Sequence, residues 1–325
     1  MNLKGVNIPI LSYLSEKKFI TGRELSNQFG ISRVAVWKQI QKLKKLGYHI
    51  AADTKRGYCL ISRPDILLPT EIQRNLHTKY IGKRIYYYNR INSTNSVAKN
   101  AIRDKKIHLQ EGTVMITNEQ TAGRGRLGRT WHSPHGGVWM SIVLFPDLEP
   151  AYISKITLMT AVVLVQSLKA LFNIPALIKW PNDIIIEDQK LCGILTEMSA
   201  ESDRINYVVV GIGVNANIDR EQFPVEIRKQ STSLQKILGK QISKIRFARL
   251  VLENFEKYYD LLQRKQFATI LKDWKINAHT LGKKITVESA EQTISGEAIN
   301  VTTEGALVIK TENGEIVHVL SGTVQ

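Results

Sequence analysis

Glycine and arginine alternate in one nine-residue segment, Gly123 to Trp131, which reads GRGRLGRTW. Glycine lets a backbone approach a ligand closely, and arginine carries a permanent planar charge that suits phosphate and carboxylate groups. The segment also matches the pattern G-x-G-x-x-G, but a dinucleotide-binding turn needs a helix directly after it. Pro134, Gly136 and Gly137 exclude that helix. The sequence therefore predicts a mobile loop that closes over an anionic ligand, and a plain solvated basic loop is the alternative.

A second polar cluster follows an apolar strand pattern, in the run Lys179-Trp180-Pro181-Asn182-Asp183, and Lys190 comes after the next turn. Lysine and asparagine at a strand end suit a phosphate, and hard cations such as Mg²⁺ prefer carboxylate oxygens. Asp183 is therefore the predicted carboxylate on the magnesium side. Taken alone, the run is equally consistent with a capped proline turn, and Lys190 with a routine hairpin lysine.

The positive charge of the chain is concentrated near its N-terminus. The 325 residues carry a formal charge of +16, and residues 1–63 contain eight lysines and four arginines against three carboxylates, a charge of +9. Such a basic segment favours a polyanionic partner, nucleic acid above all. The sequence therefore predicts that any nucleic-acid contact belongs to this part of the chain.

Cysteine content and hydropathy point to a cytoplasmic location. Cys59 and Cys192 lie far apart in apolar runs and are predicted to be buried thiols of a reducing cytosol. The most apolar long segment, residues 153–172, is interrupted by serine, lysine and glutamine, and no signal-peptide core precedes it. No membrane partner is expected.

Three short helices and a basic hairpin are predicted for residues 1–63. Pro9 to Ser15 forms a first helix, Thr21 and Glu24 make a capping box for a second, and Ser32 caps a third. The hairpin follows, with a positively charged tip. This layout is typical of a winged helix-turn-helix that binds DNA, and a winged helix that only docks protein is the alternative. The side chains predicted to contact DNA are Ser32, Arg33, Lys38, Gln39, Lys55 and Arg56.

Strand and helix patterns mix in the central part of the chain, with a strand predicted at residues 138–144 and a helix at residues 153–172. A hairpin turn at residues 187–189 favours an antiparallel or mixed sheet over a doubly wound one. Alternation after Leu281 predicts four strands, at residues 284–288, 295–300, 306–310 and 315–320, which form a small β-barrel. The predicted fold class is α+β, in three domains: a winged helix-turn-helix at 1–63, a mixed-sheet catalytic domain with flanking helices at 64–277, and the barrel at 278–325.

The glycine–arginine loop, the Lys-Trp-Pro-Asn-Asp run and Lys190 together resemble the biotin–protein ligase family, specifically its bacterial bifunctional members that also repress the biotin operon. The resemblance covers essentially the whole chain. It implies that biotin and Mg·ATP form biotinyl-5′-AMP, and that biotin is then transferred to a lysine of biotin carboxyl carrier proteins. It also implies that the adenylate-bound protein forms a homodimer on operator DNA.

The resemblance further implies roles for individual residues. The expected catalytic residues are Lys190 and Arg126. The expected biotin-binding residues are Ser93, Thr94, Asn95, Gln120, Arg124, Gly125, Arg126 and Lys190. The residues expected on the ATP and adenylate side are Arg129, Trp131, Lys179, Asn182 and Asn215. From the residues alone, Ser93-Thr94-Asn95 is more simply a helix N-cap.

Two other functions stay open at this point. One is a DNA-binding repressor that senses a ligand without turnover, which Lys190 and Asp183 disfavour. The other is a lipoate–protein ligase, which the loop arginines and the N-terminal helix-turn-helix disfavour.

Overall fold

The N-terminal region of the protein folds as the predicted helices and hairpin. The computed structural model describes residues 9–104, 108–289 and 292–324. The first predicted helix is shorter than expected, a single 3-10 turn at Pro9–Ser12. The other elements of this region are α1 (Gly22–Phe29), α2 (Arg33–Lys45), β1 (His49–Asp53) and β2 (Gly57–Ser62).

Side-chain caps begin both helices, as the sequence predicts. Thr21 accepts a hydrogen bond from the Glu24 amide at 3.1 Å, and Glu24 accepts one from the Thr21 amide at 2.8 Å. Ser32 accepts from the Ala35 amide at 3.2 Å. Each cap satisfies amide donors that a helix start would otherwise leave unpaired. The helices then pack through an apolar cluster that includes Leu25, Val36, Ile40, Leu43 and Leu60.

A seven-stranded mixed sheet forms the centre of the molecule. Its strands in sheet order are β3 (Ile85–Ile91), β4 (Thr113–Gln120), β5 (Val138–Leu144), β9 (Ile205–Val214), β8 (Gln189–Ala200), β7 (Asp183–Ile186) and β6 (Leu177–Lys179). Strands β3 and β4 are parallel, joined by a helical crossover, and all other neighbours are antiparallel. The predicted mixed sheet is thus confirmed.

Six helices accompany the sheet in the described residues: α3 (Pro69–Gln73), α4 (Thr94–Arg103), α5 (Ile153–Phe172), α6 (Leu234–Leu238), α7 (Lys244–Gln263) and α8 (Phe267–Ile276). By length and composition α5 could cross a membrane, with a mean hydropathy of 1.5 over its most apolar window. Most of α5 is buried in the main core beside α7 and α8, so packing within the protein accounts for its apolar surface.

The C-terminal region is a small five-stranded antiparallel sheet. Its order is β13 (Ile316–Val319), β12 (Leu307–Lys310), β11 (Thr293–Val301), β10 (Lys284–Glu288) and β14 (Thr323–Val324). Four of these strands are predicted from alternation, and β14 is not, because two residues show no period. Pairing with β10 carries β14 towards the central sheet, where it reaches the functional site.

One buried carboxylate joins the winged helix to the central region. Glu71 on α3 accepts hydrogen bonds from the Tyr48 hydroxyl and the Arg63 guanidinium, both at 2.8 Å. Burial, followed by the bond to Glu71, raises the pKa of Tyr48 far above its ordinary value. The neutral phenol therefore stays a donor, and a buried charge-assisted contact fixes the junction.

Candidate active site and DNA-binding surface

A chain of buried and half-buried polar contacts forms one wall of the site. The Thr94 amide donates to Gln120 Oε1 at 2.8 Å, and Gln120 Nε2 donates to Ser133 Oγ at 2.8 Å. Ser141 Oγ lies 2.6 Å from both Thr94 Oγ1 and Asn95 Oδ1. Each side chain is fixed by its neighbour, so the wall is built before any ligand arrives.

Ser93 is the N-cap of α4, as the simpler interpretation of Ser93-Thr94-Asn95 has it, and accepts a hydrogen bond from the Ser96 amide at 3.4 Å. The same three residues also line the cavity described below. The N-cap role and the ligand-binding role are therefore compatible, because the capped N-terminus of α4 lies at the cavity.

Glu197 contacts the outer end of that wall, and no sequence pattern predicts its role. It accepts hydrogen bonds from Lys99 Nζ at 2.6 Å and Asn95 Nδ2 at 2.8 Å, and Arg124 Nη1 lies 3.9 Å away. Burial works to raise the pKa of Glu197, but the bonds from Lys99 and Asn95 outweigh it, and the pKa falls below its ordinary value. A negative charge thus orients Asn95 and the first loop arginine.

The glycine–arginine loop folds back on itself as a small hairpin. The Gly125 amide donates to the Arg129 carbonyl at 2.6 Å, and the Trp131 amide donates to the Gly123 carbonyl at 2.9 Å. A 3-10 turn at Arg126–Gly128 forms the tip, where Leu127 has a φ of 53°. No helix follows before β5, which confirms that this is not a dinucleotide-binding turn.

Two loop arginines contact the C-terminal region, and one of them also contacts the turn between β6 and β7. Arg126 Nη1 lies 3.3 Å from Asn182 Oδ1 and 3.3 Å from the Gly322 carbonyl. Arg129 Nη2 donates to Thr323 Oγ1 at 3.2 Å. Burial lowers the pKa of Arg126, partly offset by nearby Asp183. An arginine stays charged under these conditions, so the site contains a partly desolvated cation.

Lys190 and Asp183 form the ionic centre of the site. Lys190 Nζ lies 2.8 Å from Asp183 Oδ1 and 5.1 Å from the centroid of the Trp131 ring. Both come from the antiparallel pair β7 and β8, so the hairpin turn predicted between them is what brings them together. The nearby Cys192 is buried, and that burial raises its pKa well above the ordinary value, so it stays a neutral thiol.

Trp131 lies flat against two strands because those strands carry glycine beneath it. A Cβ atom at Gly213 would come within 2.4 Å of the indole Nε1, and one at Gly193 within 2.8 Å of the ring. Glycine within a strand marks this kind of close approach. Among the described residues, nothing accepts a hydrogen bond from the buried indole N–H. An unpaired buried donor is costly, which makes it available to a ligand.

Most of these side chains line one cavity of about 550 Å³, and Ser133, Ser141 and Glu197 contact that lining from behind. The structure brings together every residue predicted for ligand binding: Ser93, Thr94, Asn95, Gln120, Arg124, Gly125, Arg126, Arg129, Trp131, Lys179, Asn182, Asp183, Lys190 and Asn215. Asn215 is buried at the back, where its amide donates to the Thr232 carbonyl at 3.0 Å. A volume of this size suits a small-molecule ligand.

Besides Glu197, three features of the site are not predicted from the sequence. The wall serine Ser141 shows no signal, since a serine inside an apolar strand pattern is common. Gly322 and Thr323 belong to the distant C-terminal region, and only the fold places them here. Gly193, Gly211 and Gly213 do have a signal, because isolated glycines in strand patterns indicate close approach of another group.

The oxygen atoms beside Lys190 are of the kind that suits a magnesium ion. In the residues that the structure describes, no group of three or more His, Cys, Asp or Glu side chains could hold a metal ion. Mg²⁺ commonly takes only one or two carboxylates, because phosphate oxygens and water complete its shell. Asp183 supplies a carboxylate and Asn182 an amide oxygen on the cavity wall.

The outer surface of α2 and the hairpin tip is basic and exposed. Arg33, Lys38 and Lys55 extend into solvent, and Ser32 lies at the helix start. Arg56 contacts Asp53 at 3.2 Å and lies 4.2 Å from the Phe19 ring centroid, so part of its donor capacity is used internally. Gln39 is placed differently from the prediction, since it is half-buried and its amide oxygen is inaccessible.

Models of three protein families match successive parts of the chain. An HTH domain matches residues 9–59, the biotin/lipoate A/B protein ligase family matches residues 87–215, and the biotin protein ligase C-terminal domain matches residues 280–325. Most residues that line the cavity lie in the last two of these segments, which agrees with the contacts of the loop arginines.

The bifunctional ligase/repressor BirA of Bacillus subtilis is 38% identical over 91% of this chain and 91% of its own length. The chain belongs to the family of bifunctional biotin–protein ligases and repressors. BirA of Escherichia coli, another bifunctional ligase/repressor, is 26% identical over 94% of this chain and 92% of its own. The biotin protein ligase of Aquifex aeolicus, solved in complex with biotin and ATP, has a TM-score of 0.64 and 28% identity, covering 75% of this chain and 98% of that one.

Membership of the bifunctional biotin–protein ligase family confirms the resemblance inferred from the loop and the Lys-Trp-Pro-Asn-Asp run. The Aquifex aeolicus ligase covers three quarters of this chain, whereas the Bacillus subtilis ligase/repressor covers nine tenths. The N-terminal HTH match therefore associates this chain with the bifunctional members of the family.

Proposed function

We propose that the chain forms biotinyl-5′-AMP from biotin and ATP in the cavity and transfers the biotinyl group to a lysine of a carrier protein of biotin-dependent carboxylases. The observation that carries this proposal is the convergence of Lys190, Asp183 and Arg126 at one end of a closed polar wall. The family relatives support biotin and ATP as the ligands, and the geometry supports a site for an acid and a phosphate side by side.

In the first step, a carboxylate oxygen of biotin bonds to the α-phosphorus of ATP, and the bond to the bridging oxygen breaks, releasing pyrophosphate. Negative charge concentrates around the α-phosphate in the transition state. Lys190 and Arg126 supply positive charge there in a partly desolvated site, where such contacts are worth several kcal/mol. Positioning and electrostatics are sufficient, and no covalent nucleophile of the protein is required.

In the second step, the neutral amine of the acceptor lysine attacks the acyl carbon of the adenylate. The acyl–phosphate bond breaks, AMP leaves and the amine loses a proton. The loop hairpin and the C-terminal contacts of Arg126 and Arg129 retain the adenylate between the two steps. Trp131 provides a flat wall for adenine, and its free N–H is available to the nucleotide.

Magnesium belongs to this proposal as the partner of the phosphates. Asp183 is the residue proposed to hold it, with Asn182 beside it. The bound ion would neutralise phosphate charge and orient the leaving pyrophosphate. With Asp183 holding the ion, Lys190 would be available to the reacting phosphate.

The same proposal covers the DNA-binding half of the protein. The adenylate-bound chain acts as a homodimer that binds operator DNA and represses genes of biotin synthesis or uptake, in the cytoplasm. A dimer is expected because one helix-turn-helix contacts only a short half-site. The division into domains at residues 1–63, 64–277 and 278–325 is part of this proposal.

One assay separates the proposed reaction from its two alternatives. The protein is incubated with ATP labelled at the α-phosphate, with Mg²⁺ and either biotin or lipoate, and the products are separated by chromatography. The proposal expects labelled biotinyl-AMP with biotin and little adenylate with lipoate. Lipoyl-AMP as the main product would identify a lipoate ligase. If neither acid gives an adenylate, the protein is a DNA-binding repressor that senses a ligand without turnover.

A further inference from the structure

Two large apolar side chains are exposed on the outer face of α2. Val34 is 62% exposed and Trp37 is 52% exposed. They are three residues apart and therefore lie on one face of the helix. The buried residues Val36, Ile40 and Leu43 form the opposite face, which packs into the N-terminal core. Val34 and Trp37 are therefore not required by the folding of this region.

Positive charge surrounds this apolar pair. The α2 helix contains five basic residues and no acidic one, and no described carboxylate forms an ion pair with any of them. A second copy of α2 would be repelled by the same charge, and an uncharged apolar partner would leave the lysines desolvated. A polyanion with apolar groups on its surface matches both properties of the face. Duplex DNA is such a partner, since its major groove presents thymine methyl groups between phosphate backbones.

Val34 and Trp37 lie near the N-terminus of α2, which is the part of such a helix that contacts base edges. Val34 and Trp37 are the second and fifth residues of a helix that begins at Arg33. In helix-turn-helix proteins, the N-terminal residues of the second helix contact bases in the major groove, while flanking residues contact phosphates. Lys38 lies beside the pair and Lys55 lies at the hairpin tip, where both can meet the backbone.

We infer that Val34 and Trp37 read thymine in the operator, by apolar contact with its 5-methyl group in the major groove. This inference rests on the proposed DNA-binding function and adds base specificity to it. The basic side chains supply affinity for any duplex, and the apolar pair supplies preference for A·T pairs at the positions that it covers. The side chains predicted from the sequence to contact DNA are all polar, and this apolar pair is not among them.

The test compares thymine with uracil in the DNA duplex. Uracil pairs with adenine as thymine does and lacks only the 5-methyl group. Tight-binding duplexes are first selected from a random pool with the full chain, biotin and Mg·ATP present. Each thymine is then replaced in turn, and affinity is measured by fluorescence anisotropy. Because one buried methyl-sized group is involved, the expected loss at the contacted positions is about threefold to fivefold.

Variants assign the effect to the two side chains. Val34→Ala and Trp37→Ala are each expected to bring the thymine-to-uracil affinity ratio close to one at the positions that the side chain covers. Ile61→Ala is the matched control, because Ile61 is an equally exposed apolar residue of the same region, 61% exposed on β2, and it should leave the ratio unchanged. A general loss of stability would weaken both duplexes alike and leave their ratio as it was.

Three outcomes overturn the inference. Uracil at every thymine position could leave the affinity of the unaltered chain unchanged, or both alanine variants could keep the original ratio. In either case the DNA-binding function stands and only the reading of thymine is removed. If the chain binds no duplex at any salt concentration, the DNA-binding part of the proposed function fails as well.

Discussion

The cavity and the outer face of α2 both use lysine and arginine, but they place these residues in opposite surroundings. In the cavity, burial lowers the pKa of Arg126, and Lys190 is held 2.8 Å from Asp183. On α2, the basic side chains are solvated and lack ion-pair partners among the described residues.

This contrast teaches how the same residue types serve two tasks. In a partly desolvated site, a fixed charge acts over short distances at low effective dielectric, so its removal costs orders of magnitude in rate. On a solvated face, each charge is screened within about 10 Å at 0.1 M salt, so many small contributions add up. The predicted effects below therefore fall from the cavity to the DNA-binding face.

The largest effect is expected from Lys190→Ala. Loss of one preorganised cation at the α-phosphate should slow adenylate formation by about 10²–10³-fold. Single-turnover formation of labelled biotinyl-AMP measures it. Lys236→Ala is the control, because Lys236 Nζ contacts Gln189 at 2.9 Å outside the cavity. An unchanged single-turnover rate in Lys190→Ala would show that this lysine has no role in adenylate formation. It would also weaken the contrast between charges in the cavity and charges on α2.

Arg126→Gly should affect retention of the adenylate. The substitution removes contacts to Asn182 and Gly322 that hold the loop across the cavity. Because hydrogen bonds of a charged group contribute about 1.5–3 kcal/mol, release of biotinyl-AMP should accelerate about 10- to 100-fold. Free adenylate should then biotinylate lysines indiscriminately, which mass spectrometry of an added bystander protein detects.

The control for Arg126→Gly is Arg103→Ala, a change at an exposed arginine on α4, which should release biotinyl-AMP at the rate of the parent protein. Equally slow release in Arg126→Gly would contradict the role of Arg126 in retention.

A smaller effect is expected at the C-terminal edge of the cavity. Thr323→Val removes the hydroxyl that accepts from Arg129 and keeps the side-chain volume. The loss of one such exposed contact should raise the KM for ATP about threefold to fivefold, with kcat for adenylation changed less. Thr311→Val, at a turn remote from the cavity, serves as the control. If the KM for ATP equals that of the parent protein, the C-terminal region does not contribute to nucleotide binding through Thr323.

The smallest effect is expected at the hairpin tip. Lys55→Ala removes one solvated cation, so DNA affinity should fall only severalfold, and the slope of log affinity against log salt should decrease by about one. Titrations of one duplex at several salt concentrations measure both. Lys240→Ala, an exposed lysine of the central region, should leave the slope unaltered. A salt-independent affinity in the parent would count against a phosphate-binding surface here.

Local patterns account for what the sequence predicted well. The capping box at Thr21, the core helix α5 and the strand β5 follow from short-range chemistry and periodicity, and the structure confirms them. Composition alone predicted an anion-covering loop, whereas the family resemblance supplied biotin.

Long-range placement accounts for what the sequence missed. Helices α3 and α6 have five residues each and form through packing, so their patterns are too short to recognise. Gly322 and Thr323 enter the cavity only because β14 pairs with β10. Gln39 was placed on the DNA side by its polarity, although its position turns it towards the core side of α2.

The central claim is that the adenylate held in the cavity is also the signal that enables the α2 face to bind DNA. The most direct test measures the dissociation constant of the full chain for its selected duplex, with and without biotin and Mg·ATP, at one fixed salt concentration. The account predicts tighter binding, by about tenfold or more, when the adenylate is present, because a coupling free energy of 1–3 kcal/mol is typical of linked sites. It also predicts that Arg126→Gly loses most of this increase. Equal affinity with and without the two substrates would contradict the account.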